Sequence, residues 1–326
     1  MPEVRVAHER CTGCGMCVNF CPVDIFELGS NDGKRVALVS RMEDCWACDT
    51  CVGQCPENAI EVIESREEAA AREAKFSVRA EPLPAEERTR YRYWQKTLRE
   101  ILGLRWDPVA ITLVKQNDPV PNAPMPRVKL RYCQSLMMAR RGKTLLMPAQ
   151  CHACPDGTHI LGLTEIPPKL ASGEMYLHFK KLASMEAAKR MVAERPRLPE
   201  RSTLATLVAP LGDTPATPDV IAVIAKPEQI MWLSMSASFE SGKRSTFHVS
   251  GYNAQCVETT LLPYTAQKFN ISLGCYGCRA SSDIGDELMF MGIPTAQMPA
   301  LIEGLKRLGQ KAIGDSRRKI YLPPNV

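Results

Sequence analysis

Apolar and polar positions along this chain follow different rhythms before and after residue 64. In the first stretch they form short β-type runs. Phe26-Glu27-Leu28 and Val36-Ala37-Leu38-Val39 flank Asn31-Asp32-Gly33-Lys34, a sequence that suits the turn of a hairpin. Glu67 to Lys75 is rich in Ala, Glu and Arg and favours helix, until Pro82 and Pro84 interrupt. Glu86 to Leu102 then places Trp94, Leu98, Ile101 and Leu102 at helical spacing, with Gly103 as the stop. Two unbroken apolar runs, Val109 to Val114 and Val220 to Ala225, are rich in β-branched residues and read as buried strands. Ser184 is placed to cap a helix running through Met185 to Arg190, with Glu186 in its first turn. A further helix is predicted over Ala300 to Leu308, ending before Gly309. Pro119 to Pro126 and Pro155 to Gly157 are expected as turns or loops.

These elements predict an α/β chain, α+β overall, with a small first domain and a larger mixed one. The expected boundaries are 1–64, a helical linker over 65–104, and 105–326. A length of 326 residues is enough for two buried cores. With 45% hydrophobic and 24% charged residues, the chain as a whole is neither disordered, fibrous nor a mini-protein. The net charge of +5 divides unevenly. Residues 1–63 hold 5 Lys+Arg and 10 Asp+Glu, giving −5, so the remainder carries +10. That split predicts two units with different surfaces. It is too mild for a nucleic-acid binder, and 6% aromatic content leaves no stacking platform. The N-terminus Met1-Pro2-Glu3-Val4-Arg5 has no basic region followed by an apolar run, and no stretch of about 20 apolar residues is present. A cytoplasmic protein without a membrane span is the expectation.

Cysteine changes this picture most. Of fourteen, eight fall between Cys11 and Cys55. In a reducing compartment thiols serve more often as metal ligands than as disulfides. The spacing Cys11-x2-Cys14-x2-Cys17-x3-Cys21-Pro22 is repeated as Cys45-x2-Cys48-x2-Cys51-x3-Cys55-Pro56. Three closely spaced thiolates wrap one face of an iron–sulfur cube, and the fourth cysteine serves the other cube. Two [4Fe–4S] clusters are therefore predicted, one on Cys11, Cys14, Cys17 and Cys55, the other on Cys45, Cys48, Cys51 and Cys21. Gly13 and Gly15 suit tight turns around the first. Zinc sites more often read as paired CxxC hooks.

On these motifs residues 5–64 resemble bacterial two-cluster ferredoxins, and the resemblance implies low-potential one-electron transfer with a redox protein as donor or acceptor. Glu43-Asp44-Cys45-Trp46-Ala47-Cys48 is locally similar to the beta subunit of adenylylsulfate reductase, which implies an electron-transfer subunit with a Trp near one cluster. Trp46 is read as a lid that keeps water from the sulfurs or as part of the electron exit.

Six cysteines remain: Cys133, Cys151, Cys154, Cys256, Cys275 and Cys278. Cys151-His152-Ala153-Cys154 and Cys275-Tyr276-Gly277-Cys278 have CxxC spacing, and Gly274 and Gly277 predict a tight turn around the second pair. A third metal site is expected from distant loops, with Cys133, Cys256, Cys275 and one of Cys151 or Cys154 as the preferred set. Cys278 is an alternate ligand or redox thiol. The site reads as a third [4Fe–4S] cluster, zinc, or a redox dithiol. Pro155 after Cys154 excludes the haem-attachment motif. Several segments, among them Pro108-Val109-Ala110-Ile111, Ser250-Gly251-Tyr252-Asn253-Ala254-Gln255-Cys256 and Ser272-Leu273-Gly274-Cys275-Tyr276-Gly277-Cys278-Arg279, resemble an uncharacterised bacterial and archaeal family over most of 105–310. That resemblance implies an architecture and no reaction.

Arg279, Glu287 and His248 are the candidate catalytic residues: a guanidinium for an anion or cluster charge, an acid ahead of Leu288-Met289-Phe290, and a proton donor or ligand. His152 shares the last role, and a hydrogen-bonded structural histidine is the plainer reading of both. No complete nucleotide-binding loop or nucleophile elbow occurs. The expected function is an iron–sulfur oxidoreductase or a component of one, passing electrons from the two-cluster domain to a metal or small-molecule substrate site in the larger domain. The alternatives are an electron-transfer subunit that docks a catalytic protein, and a metal or cluster carrier.

Overall fold

The computed structural model describes residues 2–45, 47, 49–63, 76, 78–126, 128–178, 180–281 and 284–309. The helix expected over Glu67 to Lys75, and the sites of Trp46 and Cys48, lie outside these. The fold is mixed α/β. Along the chain come β1 (Glu3–Val6), α1 (Met16–Phe20), β2 (Phe26–Asn31), β3 (Lys34–Val39), α2 (Thr50–Gln54) and β4 (Ile60–Ile63). Then follow α3 (Ala85–Leu102), β5 (Val109–Lys115), α4 (Tyr132–Ala139), β6 (Leu145–Pro148), α5 (Pro155–Ile160), α6 (Pro168–Ala171), α7 (Glu174–His178) and α8 (Met185–Glu194). The last third holds β7 (Thr203–Pro210), β8 (Val220–Ala225), α9 (Pro227–Ala237), a π-helix (Gln255–Leu261), α10 (Leu262–Ala266), β9 (Asn270–Ser272), α11 (Tyr276–Ser281), β10 (Met289–Pro294) and α12 (Met298–Gly309).

Two compact units emerge, each discontinuous in sequence. The first comprises residues 1–82, 113–135 and 145–207. Its N-terminal part is built as a repeat. β1, ahead of the first cysteine run, pairs antiparallel with β4, behind the second, with Glu3 opposite Ile63 and Val6 opposite Ile60. The β2–β3 hairpin turns at Asp32 (φ 48°) and Gly33 (φ 78°), both left-handed, as a two-residue hairpin loop requires. Val4, Ile25, Phe26, Val36, Ala37, Ala59 and Ile60 pack with Cys11, Cys17, Cys21 and Cys51 in a small core. Cysteines thus make up much of the apolar interior. The rest of this unit contains β6, the first part of β7 and the end of β5, in the strand order β6-β7-β5.

The second unit comprises residues 83–112, 136–144 and 208–326. The first half of β5 pairs antiparallel with β8, β8 with β10, and β10 with β9. β8 is buried at all six positions, as its unbroken apolar run predicts. Tyr91, Trp94, Leu98 and Leu102 of α3 pack with Ile221 and Val223 of β8 and with Leu301 and Leu305 of α12. Gly103 (φ 63°) ends α3, and Ser184 caps α8 by accepting from Ala187 N at 3.2 Å. The expected turn at Pro155 to Gly157 is instead the start of α5. Proline at the first helical position has its φ preset and needs no N–H partner. Gly277 likewise lies inside the short α11, and the left-handed turn falls on Gly274 (φ 84°) alone.

Candidate iron–sulfur site

The two cysteine runs fold alike. In each, the third cysteine lies in a short helix, Cys17 in α1 and Cys51 in α2, and the fourth follows that helix. Left-handed backbone at Gly13, Gly15 and Asp24 in the first run recurs at Ala47, Asp49 and Asn58 in the second. At Gly13 the requirement is also spatial, because a Cβ there would lie 2.5 Å from the Arg35 carbonyl oxygen. These turns bring Cys11, Cys14 and Cys17 around one pocket, and Cys55 joins them from the other run. This is the set that the spacing predicts for one cluster. Backbone N–H groups reach the sulfurs: Ala37 N to Cys11 Sγ at 3.4 Å, Ala59 N to Cys55 Sγ at 3.2 Å and Ala47 N to Cys45 Sγ at 3.4 Å. Such donors stabilise thiolate or sulfide charge.

The electrostatics suit a cationic occupant. Burial pushes the Cys17 thiol up to about 11, and the charges of Cys11 and Cys14 push the same way. Burial also raises Cys45, with Cys21 and Asp49 adding to the rise, and the Ala47 N–H and Lys129 opposing it. Thiols crowded this closely resist ionising together unless metal takes the protons' place. Soft sulfur donors in this number suit iron–sulfur ligation. Cys14 is exposed, whereas Cys11, Cys17, Cys21 and Cys51 are buried.

Two lysines far along the chain bind this cysteine-rich fold within the same unit. Lys129 Nζ donates to the Ala47 carbonyl and lies 3.1 Å from Asp49 Oδ1. Lys169, from α6, donates from Nζ to the Val18 carbonyl at 2.7 Å, pairs with Asp24, and donates from its backbone N to the Pro22 carbonyl at 3.3 Å. Neither stands out in the sequence, because nothing near either residue suggests a partner so far away.

The segment after Lys129 leads to three more cysteines. Leu130 N donates to Cys151 O, and Ala153 N to Leu130 O, both at 2.9 Å, so this strand-like contact holds Cys133 near the Cys151–Cys154 loop. Burial pushes Cys154 up to about 12, with Asp156 and Cys133 adding and Gly157 N–H and Arg131 opposing. His152 is buried, and burial lowers it to about 4, so the ring is neutral. Its Nε2–H donates to the Met147 carbonyl at 3.1 Å, which leaves the lone pair on Nδ1, a buried atom with no hydrogen-bond partner among the described residues. Farther in, Arg195 Nη1 lies 3.1 Å from Asp156 Oδ1, and Arg195 Nη2 donates to His159 Nε2 at 2.5 Å. Tyr176 OH joins both Asp156 and Arg195. Among the described residues, no three His, Cys, Asp or Glu side chains are disposed to hold a single metal ion.

The remaining candidates belong to the second unit. Cys256 and Cys278 are buried, Cys275 is half-buried, and the Cys275 thiol donates to Gln255 Oε1 at 3.6 Å. Arg279 directs its N–H groups at the carbonyls of Leu273, Gly285 and Leu288 and thereby shapes the loop around Gly274. Glu287 is exposed in a turn, not buried. His248 is exposed too, and Asn270 holds its backbone N and O. Of the residues expected to form one site, the fold therefore gathers Cys133, Cys151 and Cys154 within the first unit.

Comparison with known proteins agrees with both parts. Residues 10–59 match the 4Fe-4S dicluster domain family. Residues 97–304 match the family DUF169, described as uncharacterised ArCR. The uncharacterized protein MJ0308 of Methanocaldococcus jannaschii is 29% identical over 219 residues, which cover 66% of this chain and 93% of that protein. Among the described residues no helix is long and apolar enough to cross a membrane.

Proposed function

For this chain, which belongs to the DUF169 family and joins that domain to a 4Fe-4S dicluster domain, we propose an electron-transfer role, as a reductase or a component of one. In this reading Cys11, Cys14, Cys17 and Cys55 hold one [4Fe–4S] cluster, Cys21, Cys45, Cys48 and Cys51 hold a second, and the electrons serve a cysteine site in the family domain. When bound, such clusters supply one-electron transfer at low potential.

The observation that carries the reading is the short connection from the second cysteine run to Cys151. Lys129 binds Ala47 and Asp49, and the next residue, Leu130, is hydrogen-bonded to Cys151 and Ala153. The exposed Cys14 favours the first run as the side that meets a redox protein. Cys133, Cys151 and Cys154 form the candidate third site, for a further cluster or a redox dithiol. His152, between Cys151 and Cys154 in sequence, keeps a buried lone pair on Nδ1, because its Nε2–H is committed to Met147. Asp156, two residues after Cys154, is held by Arg195 at 3.1 Å.

The test is anaerobic purification, iron and acid-labile sulfide counts, and EPR spectra through a reductive titration. About eight of each per chain, with two interacting signals, is the expected minimum for a dicluster domain. About twelve, with a separate signal altered by Cys133→Ser, supports a third [4Fe–4S] cluster beside the Cys151–Cys154 loop. Iron and sulfide well below eight, with zinc in their place, overturns the electron-transfer reading.

A further inference from the structure

The two cysteine runs are repeats that differ at their left-handed backbone positions. In the first, the left-handed positions after Cys11 and Cys14 are glycines, Gly13 (φ 66°) and Gly15 (φ 76°). In the second the matching positions are Ala47 (φ 55°) and Asp49 (φ 57°). Left-handed backbone costs a residue with a Cβ free energy that glycine avoids, so the second loop needs holding from outside. Lys129 contacts both residues concerned, with Nζ on the Ala47 carbonyl and on the Asp49 carboxylate at 3.1 Å. Ala47 in turn donates its N–H to Cys45 Sγ at 3.4 Å, so the lysine is one residue removed from a sulfur. The Lys129 side chain is 21% exposed, and its charge is only partly screened by water.

We propose that Lys129 is a positioning residue for the second cluster, holding its glycine-free loop in shape and making that cluster easier to reduce than it is without the lysine's charge. This rests on the cluster assignment under the proposed function. Each electron added makes a cluster more negative, and a nearby cation stabilises the reduced form. In the first loop, Gly13 and Gly15 meet the conformational requirement themselves, and the lysine on that run, Lys169, binds beyond the loop at Val18 and Asp24.

The experiment is an EPR-monitored redox titration of the full chain, with the rate of iron loss to a chelator measured in parallel. The wild-type protein is read first: without two [4Fe–4S] signals the proposed function fails, separately from this inference. Lys129→Gln keeps a donor for the Ala47 carbonyl and removes the charge. One of the two couples is expected to move to more negative potential while the other stays, and Lys129→Arg is expected to restore it. Asp49→Asn removes the opposing charge, and asparagine tolerates left-handed backbone. It is expected to move the same couple the opposite way. Lys129→Gln is also expected to speed iron loss, and Ala47→Gly added to it to reverse that. The double variant supplies the potential if the single variant loads one cluster only. Couples that stay in place in both Lys129→Gln and Asp49→Asn, or that move in the same direction, overturn the charge role. Iron loss unaffected by Lys129→Gln overturns the loop-holding role.

Discussion

His159 shows how a single residue takes its chemistry from distant partners. Its Nδ1–H donates to the Pro155 carbonyl at 2.9 Å, and its Nε2 accepts from Arg195, so the ring is held neutral. Burial lowers it to about 4, the Arg195 charge adds to that, and Asp156 opposes. An unfolded chain takes up this proton near 6.5, so the stability from the neutral ring is present above that value and is lost as pH falls toward 4. Lowering the pH from 7 to 5 is expected to cost about 2 kcal/mol through this residue, seen as a lower urea midpoint. His159→Asn is expected to remove this share of the dependence and to leave that of His152, which burial also lowers to about 4. In the sequence His159 is unremarkable, because Arg195 lies 36 positions away. The same holds for Lys129 and Lys169, whose partners Ala47 and Val18 are 82 and 151 positions distant. The cysteine pattern is legible for the opposite reason: an iron–sulfur cube constrains the spacing of candidate ligands within one short run. Arg279 and Glu287 looked chemical from their neighbours in sequence, yet the fold gives one to backbone carbonyls and the other to solvent.

Among the elements, those with a strong local pattern appear where the pattern put them. β8 is an unbroken apolar run and is buried throughout, and α3 ends at a left-handed glycine. The departures fall on residues whose meaning depends on context. Pro155 can stop a chain or start a helix, and it starts α5. Helix packing adds a constraint that periodicity does not carry. Gly304 of α12 faces the Ser236 carbonyl of α9, and a Cβ there would lie 2.4 Å from that oxygen. Gly304→Ala is expected to force the helices apart and to cost about 1–3 kcal/mol, read from the urea midpoint. Gly53→Ala is the control. Nothing lies within 4 Å of its added Cβ, and it sits inside α2, so stability is expected to hold or rise slightly.

For the molecule as a whole, the two kinds of core set the behaviour. The cysteine-rich fold has few large apolar side chains beyond Ile25, Phe26, Val36 and Ile60, and four cysteines complete its interior. A core that small needs its metal to stay folded. Removing iron with a chelator is expected to abolish hydrogen-exchange protection in β1 and β4. Protection of β8 and β10, in a unit with its own apolar core, is expected to persist. Equal loss in all four strands would show that the two units unfold together. The sequence by itself determined the mixed α/β class, the repeat, the two-cluster cysteine pattern and most helix and strand positions. Each of these depends on residues close together along the chain, through backbone periodicity or the dimensions of an iron–sulfur cube. Only the tertiary structure decided which lysine braces the glycine-poor loop, that Cys133 lies by the Cys151–Cys154 loop, and that the charge of Arg195 is spent on a buried network. Those facts come from contacts between segments distant in the chain, formed when apolar surfaces pack and buried polar groups must find partners, and no local spacing encodes them.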